Sequence, residues 1–130
     1  MRVLLVDDEL ELVSTMAERL EIRGYDVTAV SSGQAALEHL AQERCDVAVV
    51  DVKMPTMSGE VLLSFIQRDY PSVAVILLTG HAAVDESMEE AQLQACATLF
   101  KPVNIDELIR TMDKCAGDRE ATPTPASSKE

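Results

Sequence analysis

The sequence predicts a doubly wound α/β fold: a parallel sheet of five strands, each followed by a helix. Three observations carry that reading. Apolar runs of strand length recur near residues 2–6, 26–30, 46–51, 73–79 and 97–100. Between them the apolar spacing changes to the i, i+3, i+4, i+7 pattern of a helix with one buried face. Strict alternation of the two then joins parallel strands through helical crossovers, which places helices on both faces of the sheet.

Each element has its own signal. Val3-Leu4-Leu5-Val6, Val47-Ala48-Val49-Val50 and Val75-Ile76-Leu77-Leu78 are continuously apolar, as strands buried on both faces must be. Asp26-Val27-Thr28-Ala29-Val30 is mixed and reads as an edge strand, and Ala97-Thr98-Leu99-Phe100 is short. The helical stripes are Leu10, Val13, Met16, Ala17 and Leu20; Ala36, Leu37, Leu40 and Ala41; Val61, Leu62, Phe65 and Ile66; Val84, Met88, Ala91 and Ala95; and Ile105, Leu108, Ile109 and Met112. Gly24 suits the end of the first helix. Ser31 or Ser32 can cap the second, and Asn104 with Glu107 has the form of a capping box for the last.

Bulk properties narrow the function. With 130 residues the chain is one domain's worth and can bury a core without cross-links. No apolar stretch approaches the ~20 residues of a membrane span, so no membrane association is expected. A net charge of −12 argues against direct nucleic-acid binding through this domain, which needs Lys and Arg to neutralise phosphates. Cys45, Cys96 and Cys115 are odd in number and widely spaced, so they read as reduced packing thiols of a cytoplasmic protein. From about Ala116 the apolar pattern stops. Residues 1–117 read as the domain, and 118–130, with Thr122-Pro123-Thr124-Pro125, as a disordered tail or linker.

The chemistry lies where the strands end. Asp7-Asp8 follows the first strand, Asp51 closes the third, Thr79-Gly80 closes the fourth and Lys101-Pro102 follows the fifth. In a parallel sheet these exits share one edge, which is where open α/β folds bind their ligands. Three clustered acids repel one another and titrate as a coupled set. A divalent cation relieves that conflict, and an all-oxygen site favours Mg²⁺, with Mn²⁺ as an alternative. Thr79 can donate a hydrogen bond to a phosphoryl oxygen, and Lys101 can set a positive charge against it. These are the parts for transferring a phosphoryl group to a carboxylate. Asp51, alone at a central strand exit, is the best nucleophile.

With Met54-Pro55 and Gly59 added, this set of residues resembles the receiver domain of bacterial two-component response regulators, across residues 2–115. The resemblance implies a flavodoxin-like (βα)5 sheet of strand order 2-1-3-4-5. It implies that Asp51 accepts a phosphoryl group from a sensor histidine kinase or phosphotransfer protein. Asp8, Asp51 and the backbone carbonyl of Lys53 would bind Mg²⁺, with Asp7 acting mainly through water. Thr79 and Lys101 would contact the phosphoryl oxygens, and the Lys101–Pro102 bond would be cis. The domain would catalyse only its own phosphorylation and dephosphorylation. Its output would go to a partner or effector domain, and the 84–115 face is also open to a second copy of the chain.

The chain departs from the family pattern at two positions. Thr98 stands where the family usually has a Tyr or Phe, three residues before the lysine, and Gln94 stands in place of a usual glycine. A route from site to output through the loop after Thr79 is therefore expected, rather than through a swinging ring. Lys53 and His81, each two residues past a site residue, are expected to set the lifetime of the phosphorylated state. Other classes fit less well. A haloacid-dehalogenase-type phosphatase resembles a DxD pattern that Asp51-Val52-Lys53 lacks. A flavodoxin-like FMN carrier would need a hydroxyl- and glycine-rich first loop and more aromatics than Tyr25, Tyr70, Phe65 and Phe100. A module of the same fold that is no longer phosphorylated would not need so complete a site.

Overall fold

The structure, a computed structural model, describes residues 1–80 and 94–121, with side chains as far as residue 117. Strands β1 (Arg2–Val6), β2 (Asp26–Val30), β3 (Val47–Asp51), β4 (Ala74–Thr79) and β5 (Ala97–Phe100) form one sheet in the order β2-β1-β3-β4-β5. All four pairings are parallel. The described helices are α1 (Leu10–Ile22), α2 (Gly33–Gln42), α3 (Gly59–Asp69) and α4 (Ile105–Ala121). The helix expected on Val84, Met88 and Ala91, the residue His81, and the segment 122–130 lie outside the described residues.

The core divides by strand alternation. Val3, Leu5, Val47, Val49, Ile76 and Leu78 point to one face and pack with Val13, Met16 and Leu20 of α1 and Leu108 and Met112 of α4. Leu4, Val6, Ala48, Val50, Val75 and Leu77 point to the other and pack with Ala36 and Leu40 of α2 and Leu62, Leu63 and Ile66 of α3. β1, β3 and β4 are buried on both faces, which explains why they read as unbroken apolar runs. β2 sits at one edge, half exposed, as its mixed sequence predicts.

Local signals explain the helix ends. The Ser32 hydroxyl accepts from Ala35 N–H (3.1 Å). Asn104 Oδ1 accepts from Asp106 N–H (2.9 Å) and Glu107 N–H (3.1 Å). Gly24 takes a left-handed φ of +96° just past α1, which a residue with a Cβ adopts only at a cost.

Three expectations are corrected. Leu10, the first residue of α1, is 60% exposed and contributes nothing to the buried stripe that begins at Val13. Val61 is 46% exposed and Leu63 is buried in its place. Val61-Leu62-Leu63 is an apolar triplet, so periodicity alone cannot phase the helix; the Ser58 cap does, accepting from Val61 N–H at 3.3 Å. Finally, the cysteines are not three reduced thiols. Cys96 and Cys115 are joined in a disulfide, and Cys45 alone is free. Folding sets the start of β5 beside the third turn of α4, a proximity that a separation of 19 residues conceals. These cysteines therefore give no ground for expecting a reducing compartment.

Candidate functional site

The sheet order brings the expected residues to one edge. Asp51 ends β3 in the centre, Asp7 follows β1 on one side, Thr79 ends β4 on the other, and Lys101 follows β5. Asp7, Asp51 and Thr79 are buried, at 3%, 4% and 1% exposure, while Asp8 is exposed. Burial of two carboxylates in so small a space is costly unless a counter-charge is present.

Lys101 supplies part of that charge. Its Nζ lies 3.1 Å from Asp51 Oδ1 and 3.4 Å from Asp7 Oδ2. Glu9 Oε1 stands 3.9 Å from the same ammonium. The lysine thus bridges three carboxylates, with Asp8 grouped beside two of them. The Asp51 carboxyl is held above the ordinary aspartate value, first by burial and then by the charge of Asp7. Lys101 and a backbone hydrogen bond at Lys53 pull the other way without prevailing. Partial burial works against the Lys101 charge, but its hydrogen bond to Asp51 and the charges of Asp51 and Asp7 outweigh this and raise it.

The acid set fits a hard cation. Carboxylate oxygens of Asp7, Asp8 and Asp51 all lie within 4.8 Å of one another. Such a donor set is all oxygen, with one member exposed to water, which suits magnesium better than zinc or copper. Asp7 also serves the fold, since its Oδ1 accepts from Glu9 N–H (2.9 Å) and steadies the start of α1. Anchoring of the β1–α1 loop and site chemistry are therefore combined in one side chain.

Thr79 donates its hydroxyl to the Gly80 carbonyl (3.1 Å), and its own carbonyl accepts from Lys101 N–H (2.8 Å). That second bond fixes the start of the Lys101 loop against β4. The Lys101–Pro102 peptide is cis, as expected. Thr98 pairs with Leu77 in register, and its Oγ1 is buried with no hydrogen-bond partner. No aromatic ring occupies that position. Phe100, two residues on, is 41% exposed.

The loop after Asp51 is shaped tightly. Met57 N–H closes a three-residue turn onto the Pro55 carbonyl (2.7 Å), and the central residue, Thr56, has φ +68°. That conformation is strained for a β-branched side chain. The turn returns the chain so that Gly59 N–H donates to Val52 O (2.9 Å). A Cβ on Gly59 would meet the Asp51 carbonyl and lie 2.8 Å from Val52 Cα. Gly59→Ala should therefore destabilise the fold by about 2 kcal/mol and shift Asp51. Gly117→Ala, where a Cβ meets nothing within 4 Å, should instead leave stability unchanged or slightly raised. Denaturation midpoints of the two variants decide this; equal effects would overturn the close-approach reading.

Sequence reasoning missed Glu9 and Ser58. Glu9 extends the Asp7-Asp8 run, so an acidic triplet before a helix was the available signal. A hollow of about 530 Å³ lies away from the strand exits beside Leu40, Cys45 and Tyr70. It carries none of the site residues. Among the described residues, no helix is long and apolar enough to cross a membrane.

The sequence matches the family model described as a response regulator receiver domain over residues 3–113. The chain belongs to the response regulator receiver family. It is 37% identical over 108 residues to the response regulator FleR of Pseudomonas aeruginosa, covering 83% of this chain and 23% of that protein. It is 29% identical over 124 residues to the DNA-binding transcriptional regulator NtrC of Klebsiella pneumoniae, covering 95% of this chain and 26% of that one. The receiver thus spans about a quarter of the length of these relatives. Among solved structures, a CheY-like receiver from Methanospirillum hungatei superposes with TM-score 0.85 at 27% identity, covering 92% of this chain and 95% of that one. The response regulator TrrA of Thermotoga maritima, solved with Mg²⁺ and BeF, gives TM-score 0.77 at 29% identity, covering 88% of this chain and 97% of that one.

Proposed function

We propose that Asp51 of this receiver accepts a phosphoryl group from a phosphohistidine on a sensor kinase or phosphotransfer protein. The observation that carries the reading is the buried Asp51 carboxylate, 3.1 Å from Lys101 Nζ, beside Asp7 and Asp8. A carboxylate oxygen of Asp51 attacks phosphorus in line, and the P–N bond to the donor imidazole breaks. Lys101, already poised between Asp51 and Asp7, turns to an oxygen of the arriving group. The Thr79 hydroxyl leaves the Gly80 carbonyl and donates to another. Asp8, Asp51 and the Lys53 carbonyl would hold Mg²⁺, with Asp7 through water; the ion would neutralise charge on the phosphoryl oxygens. These residues position and neutralise, which is most of what phosphoryl transfer requires.

The test is incubation with acetyl phosphate and Mg²⁺, followed by peptide mapping of the adduct. A single phosphoaspartyl peptide containing Asp51 supports the assignment. An adduct at another residue, or none under conditions that label a related receiver, would sink it.

Hydrolysis of the phosphoaspartate returns the site to its starting state. Lys53, exposed and two residues beyond Asp51, stands where it can reorient the attacking water. Lys53→Ala should change the dephosphorylation half-life several-fold; an unchanged half-life removes that role. We assign the output to a partner or effector domain, through residues 84–115, and to residues 118–130, the first four of which continue α4, the role of tail or linker after a receiver unit of 1–117. Any DNA contact of a longer protein would then lie outside this domain, and a cytoplasmic location follows from the kinase as donor.

A further inference from the structure

Cys96 and Cys115 lie away from the phosphoacceptor site, and the mechanism uses neither. Cys96 immediately precedes β5, where its N–H donates to the Val75 carbonyl (2.8 Å). Cys115 is 2% exposed on the apolar stripe of α4, three residues after Met112. Their Cα atoms are 6.1 Å apart, inside the range a disulfide spans without moving the backbone.

The bond is reachable. Cys96 is exposed, and an open hollow of about 510 Å³ is lined by Cys96, Cys115, Glu107, Arg110 and Lys114. That is room for a tripeptide-sized thiol. Arg110 and Lys114 put two cations on the wall beside Cys115, against one acid, Glu107. Cations beside a sulfur favour the thiolate, the form that attacks a disulfide and that leaves from one. They also attract an anionic reagent. Cys45 is built differently: it donates to the Val47 carbonyl (3.2 Å), and burial pushes its thiol up to about 11. It serves as an internal control.

We propose that Cys96 and Cys115 form a reversible redox staple between β5 and α4, exchanging with a small anionic thiol–disulfide couple of the glutathione type. On oxidation the two thiols lose two protons and two electrons as one S–S bond forms. The small disulfide accepts both, its own S–S bond breaking to give two thiols. The closed bond anchors the third turn of α4 to the residue that precedes β5, the strand that leads to Lys101. Opening it leaves Cys115 and Ala116 held by the backbone of α4 and by packing. Redox state becomes a second input to the element that carries Lys101; this regulatory role rests on the function proposed above.

The full chain is equilibrated across ratios of reduced to oxidised glutathione, trapped by alkylation, and mapped by mass spectrometry. Cys96 and Cys115 are expected to be protected together with one midpoint, while Cys45 stays free of disulfide throughout. Reduction should lower Tm by about 10 °C, as expected for a cross-link closing a loop of this length. It should also speed amide exchange at residues 112–117. Cys96→Ser, at an exposed position, should fold and lose the redox dependence of both readouts. Cys96 and Cys115 alkylated at every ratio, a mixed glutathione adduct alone, or a Tm indifferent to reduction would overturn the staple. A bond that millimolar reduced glutathione cannot open in the native protein would overturn its reversibility. Acetyl phosphate labelling of both forms is measured separately, so failure at Asp51 strikes the proposed function and leaves the cysteine result standing.

Discussion

Asp51→Asn should abolish phosphorylation, by at least roughly 100-fold, since the amide lacks the nucleophilic carboxylate oxygen. The neighbouring acids cannot substitute. Asp7 is buried, accepts from Glu9 N–H and is bridged to Lys101. Asp8 is exposed and follows β1 rather than the central strand, so a group arriving there would leave Thr79 unused. The same variant should be more stable than the parent in metal-free buffer. Asp51 has a raised folded-state pKa, caused first by burial and then by Asp7, so its contribution to stability is present below the ordinary aspartate value of 3.8 and lost as pH rises through the raised one. The asparagine does not ionise. The Tm difference, variant minus parent, should therefore grow as pH rises from about 4 toward neutrality. A mapped adduct of undiminished yield in Asp51→Asn would refute the acceptor; a Tm difference that shrinks with pH would refute the electrostatic account.

The strand exits were legible because burial on both sides leaves little choice of sequence. Val47-Ala48-Val49-Val50 can hardly be anything but a central strand, and a charged residue ending it must lie at the rim. Once β1, β3, β4 and β5 are placed in parallel, Asp7, Asp51, Thr79 and Lys101 converge without further information. The remainder depends on contacts between segments far apart in the chain. Nothing near Cys96 announces Cys115, because their meeting requires α4 to lie across β5. The Glu9 carboxylate joins the site through the reach of Lys101 from a distant strand exit. The phase of α3 was hidden for a different reason. Three successive apolar residues fit two helical faces equally, and the choice is made by Ser58 and by Gly59 pressing on β3. Thr98 shows the converse. Its departure from the family pattern is plain in the sequence, but that its hydroxyl is buried without a partner emerges only from the fold.

Millimolar Mg²⁺ should raise the stability of the parent protein, because the folded chain gathers Asp7, Asp8 and Asp51 within 4.8 Å and the unfolded chain does not. At about 100 times its dissociation constant the ion contributes about 2.7 kcal/mol, or a Tm rise of roughly 10 °C for a domain of this size. The gain has a visible source. Metal-free, the site holds two buried carboxylates whose repulsion Lys101 only partly offsets, and the raised Asp51 pKa expresses that residual conflict. A dication removes it. Protons compete for the same oxygen, so the apparent affinity should weaken as pH falls into the range where Asp51 protonates. Asp8→Ala is the decisive variant: the side chain is exposed, so its loss should cost the fold little while removing a ligand. In that variant the Mg²⁺-dependent rise should vanish. In Asp51→Asn it should fall sharply, so that added Mg²⁺ reverses the stability order of parent and variant. A parent Tm indifferent to Mg²⁺, or a full rise surviving in Asp8→Ala, would show that the acids are held together for the fold and not for a cation.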